Sequence, residues 1–262
     1  MREGTLALLF EDGKILIEGY GGETPGLPRL ESIGEGILPD EAEIFRIKDG
    51  ESEFVAADVK GISGSGLAAV ELRESWGFLP EVHYRAAAKG AELLYWNRHT
   101  RYCQRCGAPL RRHTEISKIC SGCGFEVFPA MAPCVIVLVT RGEGADEEAL
   151  LVHARNFKRP FFGLVAGFVE TGESLEECVA REVMEETSLE IEDIRYFGSQ
   201  SWPFPTQMMI GFTARWKSGD LRFADGELTR GGFFRRDSLP PLATPPSIAR
   251  RMIEQWRNNV EC

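Results

Sequence analysis

Among the 262 residues no apolar run approaches the length of a membrane span, and the opening MREGTLALLF holds too short an apolar stretch for a secretory signal. A soluble cytoplasmic protein is the expectation. Basic residues are in deficit, 30 Lys and Arg against 40 Asp and Glu, for a formal net charge of −10. Such a balance disfavours nonspecific binding to nucleic acid and repels polyanions, so a phosphate-bearing ligand needs local cations or metal ions to enter. The run Arg111 to His113 is short and sits inside this acidic chain. Histidine is scarce: His83, His99, His113 and His153 are scattered without metal-ligand spacing and are assigned no role. Internal repeats are absent. What remains is ample for folding, because 43% hydrophobic residues over this length suffice for one large core or two modest ones.

The most informative stretch is Gly167 to Leu189, GFVETGESLEECVAREVMEETSL. Glu182, Glu185 and Glu186 fall within five residues, preceded by Glu173. At about 100° per residue these three share one helical arc roughly 100° wide, where like charges repel. Hard divalent cations, Mg2+ or Mn2+, held by carboxylate oxygens and open toward a substrate's phosphates, account for the crowding economically. A solvated acidic face is the plainer alternative, but it would interleave Lys with Glu, and here the nearby cation is Arg181 alone. Ser174 is placed as an N-cap with Glu177 three residues on, and Gly167 and Gly172 permit a tight loop before it. Val179, Ala180, Val183 and Met184 take the neighbouring arc as an apolar stripe that packs on a sheet.

This segment resembles the Nudix box, whose pattern is G-x5-E-x7-R-E-U-x-E-E-x-G-U, with U a bulky aliphatic residue. Gly167, Glu173, Arg181, Glu182, Val183, Glu185, Glu186 and Leu189 match it. Ser188 stands where the pattern has Gly, near the helix end where Gly commonly relieves left-handed strain, so the departure bears on local stability rather than on chemistry.

A second motif takes up four of the seven cysteines. Cys103 and Cys106 in CQRCG, and Cys120 and Cys123 in CSGCG, make two knuckles, with Gly107 and Gly124 allowing the turns that point backbone amides at sulfur. Four thiolates suit tetrahedral Zn2+, and four protein ligands leave no open position, so the metal is structural. Two disulfides or a redox pair are the competing readings, and both suit a reducing compartment less well. Cys134 and Cys178 read as core residues and Cys262 as a tail thiol, none with an evident basic partner.

The expected organisation is α+β with three parts: a small α+β domain over residues 1–98, a zinc ribbon over 99–130, and a Nudix α/β/α sandwich with a mixed sheet over 131–262. In the first, Thr5 to Phe10, Lys14 to Glu18 and Glu53 to Ala57 read as strands, Tyr84 to Asn97 as a helix, and GISGSG precedes a second helical stretch. In the third, CVIVLVT and ALLVHA flank the polar tip RGEGADEE as a hairpin. GLVAGFVE, the Glu-rich helix, a strand near MMIGFTARW and a helix from Ser247 to Asn258 follow.

A third motif, SQSWPFPTQ from Ser199 to Gln207, resembles the SQPWPFPxS loop of the NADH pyrophosphatase branch of the family, the branch that also carries a four-cysteine ribbon. Ser201 replaces Pro and Gln207 replaces Ser, while Gln200, Trp202, Pro203, Phe204 and Pro205 are kept, with Thr206 between them and Gln207. The resemblance implies hydrolysis of NADH or NAD+ to nicotinamide mononucleotide and AMP and, in some members, removal of an NAD cap from RNA 5′ ends. It implies Glu182, Glu185, Glu186 and Glu227, with the backbone carbonyl of Ala166, as ligands of Mg2+ or Mn2+. Glu186 and Glu227 both stand as the base. Phe168, Trp202 and Phe128 are implied to stack on the nicotinamide or adenine ring, Phe128 where the family commonly has Tyr. Arg29, Arg73, Glu115 and Ala249 align with further substrate contacts. A homodimer is implied, with no membrane partner. The alternatives are a Nudix hydrolase of another nucleoside diphosphate such as ADP-ribose, or a non-catalytic nucleotide sensor. Intact metal glutamates argue against the sensor, and SQSWPFP against ADP-ribose.

Overall fold

Two units make up the computed structural model, which describes residues 4–34, 36–40, 43–64, 66–223 and 226–258. One is Met1–Ala130 with Pro203–Thr206, the other Met131–Trp202 with Gln207–Cys262. Cys262, read as a tail thiol, lies outside the described residues.

In the first unit, strands β1 (Leu6–Glu11), β2 (Lys14–Glu18), β3 (Phe45–Asp49), β4 (Ser52–Asp58) and β5 (Leu67–Val70) form a sheet in the order β3-β4-β1-β2-β5. β1 and β4 run parallel and the other neighbours antiparallel. Both faces are covered, which is why LALLF is a continuous apolar run rather than an alternating one. Leu8, Phe10, Ile15, Ile17, Phe45 and Phe54 pack beneath helix α2 (Glu81–His99), while Ala7, Leu9, Leu16 and Val55 pack against Leu30, Ile33 and Ile37 on the other face. The segment after GISGSG differs from expectation. It is strand β5 followed by a single-turn helix, α1 (Leu72–Ser75), because LAAV, helical by propensity, is captured by the free edge of β2 at Ile17↔Ala68 and Ile15↔Val70.

The four-cysteine segment adds a small antiparallel sheet, β6 (Leu110–Thr114), β7 (Ser117–Cys120) and β8 (Glu126–Val127). Two of its cations fasten it to the rest of the unit. The Arg112 guanidinium lies 3.9 Å over the Phe45 ring, and the buried Lys118 Nζ donates to the carbonyls of Asn97 (2.9 Å) and Thr100 (2.8 Å) at the end of α2.

The second unit is an α/β/α sandwich with a mixed sheet, as expected. Its strands are β9 (Ala132–Arg141), β10 (Glu148–Ala154), β11 (Val165–Phe168), β12 (Glu190–Trp202), β13 (Gln207–Ser218) and β14 (Leu228–Arg235), in the order β12-β13-β9-β10-β14 with β11 paired to β9. Alternation along β9 assigns each side chain to a layer. Cys134, Ile136 and Leu138 pack toward α4 (Ile248–Arg257), and Val135, Val137 and Val139 toward α3 (Leu175–Thr187). The β9–β10 hairpin is paired only at Glu148↔Arg141 and Ala149↔Thr140. Beyond that β11 takes up the edge of β9, and β10 turns to β14.

Two local expectations change. SQSWPFPTQ is not a loop throughout: Ser199 to Trp202 end β12, Gln207 opens β13, Trp202 pairs with Gln207, and only Pro203–Thr206 make the turn. On α3 the buried residues are Cys178, Val179, Val183, Glu186 and Thr187, whereas Ala180 is exposed and Met184 is 42% exposed. The helix is rotated so that Glu182 and Glu186 turn inward with the apolar arc, which carries that arc back to Cys178.

Candidate functional site

The box helix begins where its cap predicts. Ser174 Oγ accepts from the Glu177 amide (3.2 Å), and the Ser174 amide donates to Glu177 Oε2 (2.7 Å), so two orphan donors of the first turn are satisfied reciprocally. It ends at Ser188, held at φ 60° and ψ 24° in the left-handed region that the family's Gly would occupy without strain.

Gly167 lies on β11 rather than in a loop, and its role is space. A Cβ built there would stand 1.9 Å from Glu182 Cδ and 2.1 Å from each carboxylate oxygen. The bare backbone of β11 therefore admits the Glu182 carboxylate directly against the strand, next to Ala166, which pairs with Ile136 of β9. Gly172, at φ 98°, does form part of the turn before the helix.

Arg181 organises the acidic groups. Its Nη1 donates to Glu182 Oε1 and to Glu185 Oε2, each at 2.9 Å. Its other edge reaches Glu173 through Nε (3.0 Å) and Nη2 (2.7 Å), and Nη2 also donates to the Phe168 carbonyl (3.0 Å). Glu173 thus belongs to Arg181 rather than to the crowded arc. The guanidinium, with help from the Glu170 amide, holds its carboxyl down to about 2. Arg181 in turn is pushed above its ordinary value, chiefly by Glu173.

Burial raises the Glu182 carboxyl above its ordinary value; Arg181 opposes this, while the charges of Glu185 and Glu227 add to it. Glu227, exposed just before β14, therefore acts on the same site as Glu182. Glu186 is only 5% exposed, and Glu185 stands out toward solvent. Cys134 and Cys178 are buried, as read from the sequence, but Cys178 does have a basic neighbour, Arg181 Nη2 at 3.5 Å from Sγ. Burial nevertheless pushes both thiols up to about 12, with Glu182 and Glu186 adding to the effect at Cys134 and Glu173 at Cys178, so both stay protonated and unreactive.

The donor set suits a hard divalent ion. Glu182, Glu185, Glu186 and Glu227 are all oxygen donors; Arg181 ties the first two together, and Glu182 and Glu186 are screened from water. The cysteine cluster suits a soft tetrahedral one. The four sulfurs of Cys103, Cys106, Cys120 and Cys123 lie within 4.8 Å of one another, with Cys103–Cys123 at 3.7 Å and Cys106–Cys120 at 3.4 Å. The edge of a ZnS4 tetrahedron is about 3.8 Å. Gly107 and Gly124 sit at φ 75° and 71°, and the amides of Gly122 (3.3 Å) and Cys123 (3.4 Å) point at Cys120 Sγ. Those amides, Cys123 first, lower the Cys120 thiol to about 6, while against the Ala108 amide the sulfurs of Cys120 and Cys123 push Cys106 up to about 12; a metal requires the thiolate form of each.

The remaining residues singled out from sequence fall in both units. In the second, Phe168 ends β11 and is 53% exposed, and Trp202 is half-buried against the α4 core. Gln200 donates to the Pro246 carbonyl (2.7 Å), Ser201 is exposed on β12, and Gln207 starts β13 opposite Ala132. Ala249 is 8% exposed and packs in the core beneath α4. In the first unit, the Arg73 guanidinium lies 4.8 Å over the Phe204 ring, bringing two of these residues together. Pro203 is buried there, Pro205 exposed and Thr206 half-buried. Arg29 is exposed with Glu31 at 4.0 Å, Glu115 is exposed between β6 and β7, and Phe128 is 56% exposed.

The model of the NUDIX domain matches residues 131–256. The chain is 41% identical over 172 residues to the NAD-capped RNA hydrolase NudC of Pectobacterium atrosepticum, a match spanning 65% of this chain and 65% of that protein's length. Against the proteins of the same name from Chromobacterium violaceum and Deinococcus radiodurans, identity is 37% and 33%, covering 79% and 95% of this chain and 77% and 86% of theirs. A NUDIX hydrolase crystal structure from Nitrosomonas europaea shares the fold at a TM-score of 0.51 and 23% identity, over 61% of this chain and 92% of that one.

Proposed function

Because the chain belongs to the Nudix family, we propose that it hydrolyses the central diphosphate of NADH or NAD+ to nicotinamide mononucleotide and AMP, and releases the NAD cap from RNA 5′ ends. The observation that carries this reading is the Glu182 carboxylate seated on Gly167 and tied with Glu185 to Arg181. It occurs in a chain 33–41% identical to proteins named NAD-capped RNA hydrolases. Glu182, Glu185, Glu186 and Glu227, with the carbonyl of Ala166, are the groups that would hold Mg2+ or Mn2+. Bound there, such ions neutralise charge on the diphosphate oxygens and lower the pKa of an attacking water.

The chain's own residues prepare that chemistry. Arg181 fixes the Glu182 and Glu185 carboxylates at 2.9 Å, and Glu173 keeps Arg181 charged and oriented. Glu186 or Glu227 accepts the proton of the attacking water. Phe168, exposed at the end of the strand that carries Gly167, offers a face on which a base or nicotinamide stacks. Gln200, Ser201, Trp202, Gln207 and Ala249, and in the first unit Arg29, Arg73, Glu115, Phe128 and Pro203–Thr206, enter as substrate contacts on the family resemblance. Zn2+ on the four cysteines is structural. A homodimer and a cytoplasmic location belong to the same reading; among the described residues no helix is long and apolar enough to cross a membrane.

The deciding experiment is turnover of NADH, NAD+, ADP-ribose and NAD-capped RNA side by side, with Mg2+ and with Mn2+. Release of nicotinamide mononucleotide from NADH or capped RNA at the highest kcat/KM supports the reading. Preference for ADP-ribose, or no turnover of either nicotinamide substrate, overturns it.

A further inference from the structure

In the second unit most Lys and Arg side chains lie within 4.0 Å of a carboxylate. Among the described residues the six that do not are Arg155, Lys158, Arg159, Arg195, Arg230 and Arg251, and four of these are gathered at one place. Arg155, Lys158 and Arg159 stand exposed on the loop after β10, in the run HARNFKRPFF, which contains no acidic residue although the chain as a whole carries −10. Arg230 joins them from β14, where it pairs in register with His153, its guanidinium 5.2 Å over the Phe162 ring. Most of the other cations of the second unit are neutralised by a carboxylate, and these four are exposed.

The loop is braced. Phe157 and Phe161 stack at 4.3 Å with 23° between their planes, and His153 meets Phe157 edge-on at 5.5 Å. His153 Nδ1 lies 2.7 Å from the Phe161 carbonyl, the Phe157 amide donates to Ala154 (3.0 Å), and the Phe161 amide donates to Arg159 (2.8 Å). Cations presented by a loop already ordered lose less conformational freedom on meeting a ligand. The loop is also anchored to the catalytic groups. The Arg155 amide donates to the Glu227 carbonyl (2.8 Å), and the Arg155 guanidinium lies against Gly226, where a Cβ would meet it at 3.1 Å.

We propose that Arg155, Lys158, Arg159 and Arg230 form a track for the sugar-phosphate backbone of a single-stranded RNA, taking the nucleotides that follow the cap as they leave the Glu227 side of the site. This rests on the proposed decapping activity and assigns the part of the substrate that free NADH lacks. A row of exposed, unpaired cations binds phosphates without reading bases, so the track is indifferent to sequence and sensitive to salt. It supplies the local positive charge that an acidic chain needs in order to admit a polyanion.

The test compares NAD-capped single-stranded RNA with NADH on the same enzyme. For the unaltered protein, log kcat/KM on capped RNA falls with log salt by about 0.7 per phosphate engaged, and more steeply than on NADH. Equal slopes for the two substrates overturn the proposal without recourse to any variant. In the double variant Lys158→Glu and Arg159→Glu, kcat/KM on capped RNA drops about tenfold or more and its salt slope flattens, while NADH turnover stays within about twofold. An equal loss on both substrates assigns the cations to the dinucleotide's own phosphates and overturns the track, as does no loss on either. An enzyme that turns over NADH but leaves capped RNA intact removes the track while sparing NADH hydrolysis, whereas failure on both substrates falls on the proposed function itself.

Discussion

The Glu182 carboxylate rests on the bare backbone of Gly167, with no room between them for a single methyl group: a Cβ at position 167 would stand 1.9 Å from Cδ. The atom in the way is the end of a flexible side chain, so Gly167→Ala displaces the carboxylate rather than the fold. Misplacing a reacting group by about 1 Å costs on the order of 100-fold in rate. Gly167→Ala is therefore expected to lower kcat by about that factor with a nearly unchanged urea midpoint, and a variant at full activity would show that Glu182 does not need this seat.

Neutralising the proposed metal ligands acts on chemistry in the same way. Glu182→Gln and Glu186→Gln are each expected to reduce kcat by about 100-fold or more, measured on metal-defined protein whose circular dichroism matches the parent. Turnover at the parental rate in either variant would remove that residue from the metal set.

Glu173 acts through Arg181, and its effect appears in the pH dependence of stability. Its carboxyl is held down to about 2 in the folded protein against an ordinary 4.5, so the pairing stabilises fully above about pH 4.5 and is lost as pH falls toward 2. Unfolding midpoints of the parent and of Glu173→Gln should differ most at neutral pH and converge as pH falls through that window. A gap that stays constant down to pH 2 would mean the carboxylate contributes nothing by its charge.

Ser188 holds a left-handed conformation at φ 60°, which costs an L-residue about 1 kcal/mol relative to glycine. Ser188→Gly is expected to raise unfolding free energy by about 0.5–1 kcal/mol, after the added flexibility of the unfolded chain is offset. Denaturant titration measures it, and a loss of stability would show that the Ser side chain makes a compensating contact.

Zinc should govern stability and not rate. Stripping the metal with a chelator, or substituting Cys103→Ser, is expected to lower the melting temperature, whereas protein that stays folded should show a kcat independent of added Zn2+. A rate that climbs with zinc in folded protein would make that metal part of the chemistry.

The box helix, its cap, the four-cysteine cluster and the layers of the second unit were legible because each is written in local spacing: Ser174 with Glu177, paired knuckles, unbroken apolar strands. Strand β12 was not, because EIEDIRYFGSQSW is largely polar and bulged, and its extended form comes from pairing along β13. β14 carries Gly231 and Gly232 at its centre, where a Cβ on Gly231 would meet the Leu151 carbonyl at 2.8 Å, so the glycines that hide the strand are what permit its close approach to β10. The strand LAAV, between GISGSG and the helical stretch expected after it, was not legible, because local sequence carries no knowledge of the open edge of β2. The seat at Gly167 had one signal, a glycine inside an apolar strand, which marks close approach as readily as a turn.

The strict alternation of β9 has a consequence for how this sequence can drift. From Cys134 to Val139 each position is committed to one of two opposite hydrophobic layers. Deleting or inserting a single residue there would swap the two layers wholesale and shift the Ala166 backbone one step out of line with Ile136. The polar tip at residues 142–147 is free of that restriction, so length variation among descendants of this chain should collect in the hairpin tip and stop abruptly where the strand begins.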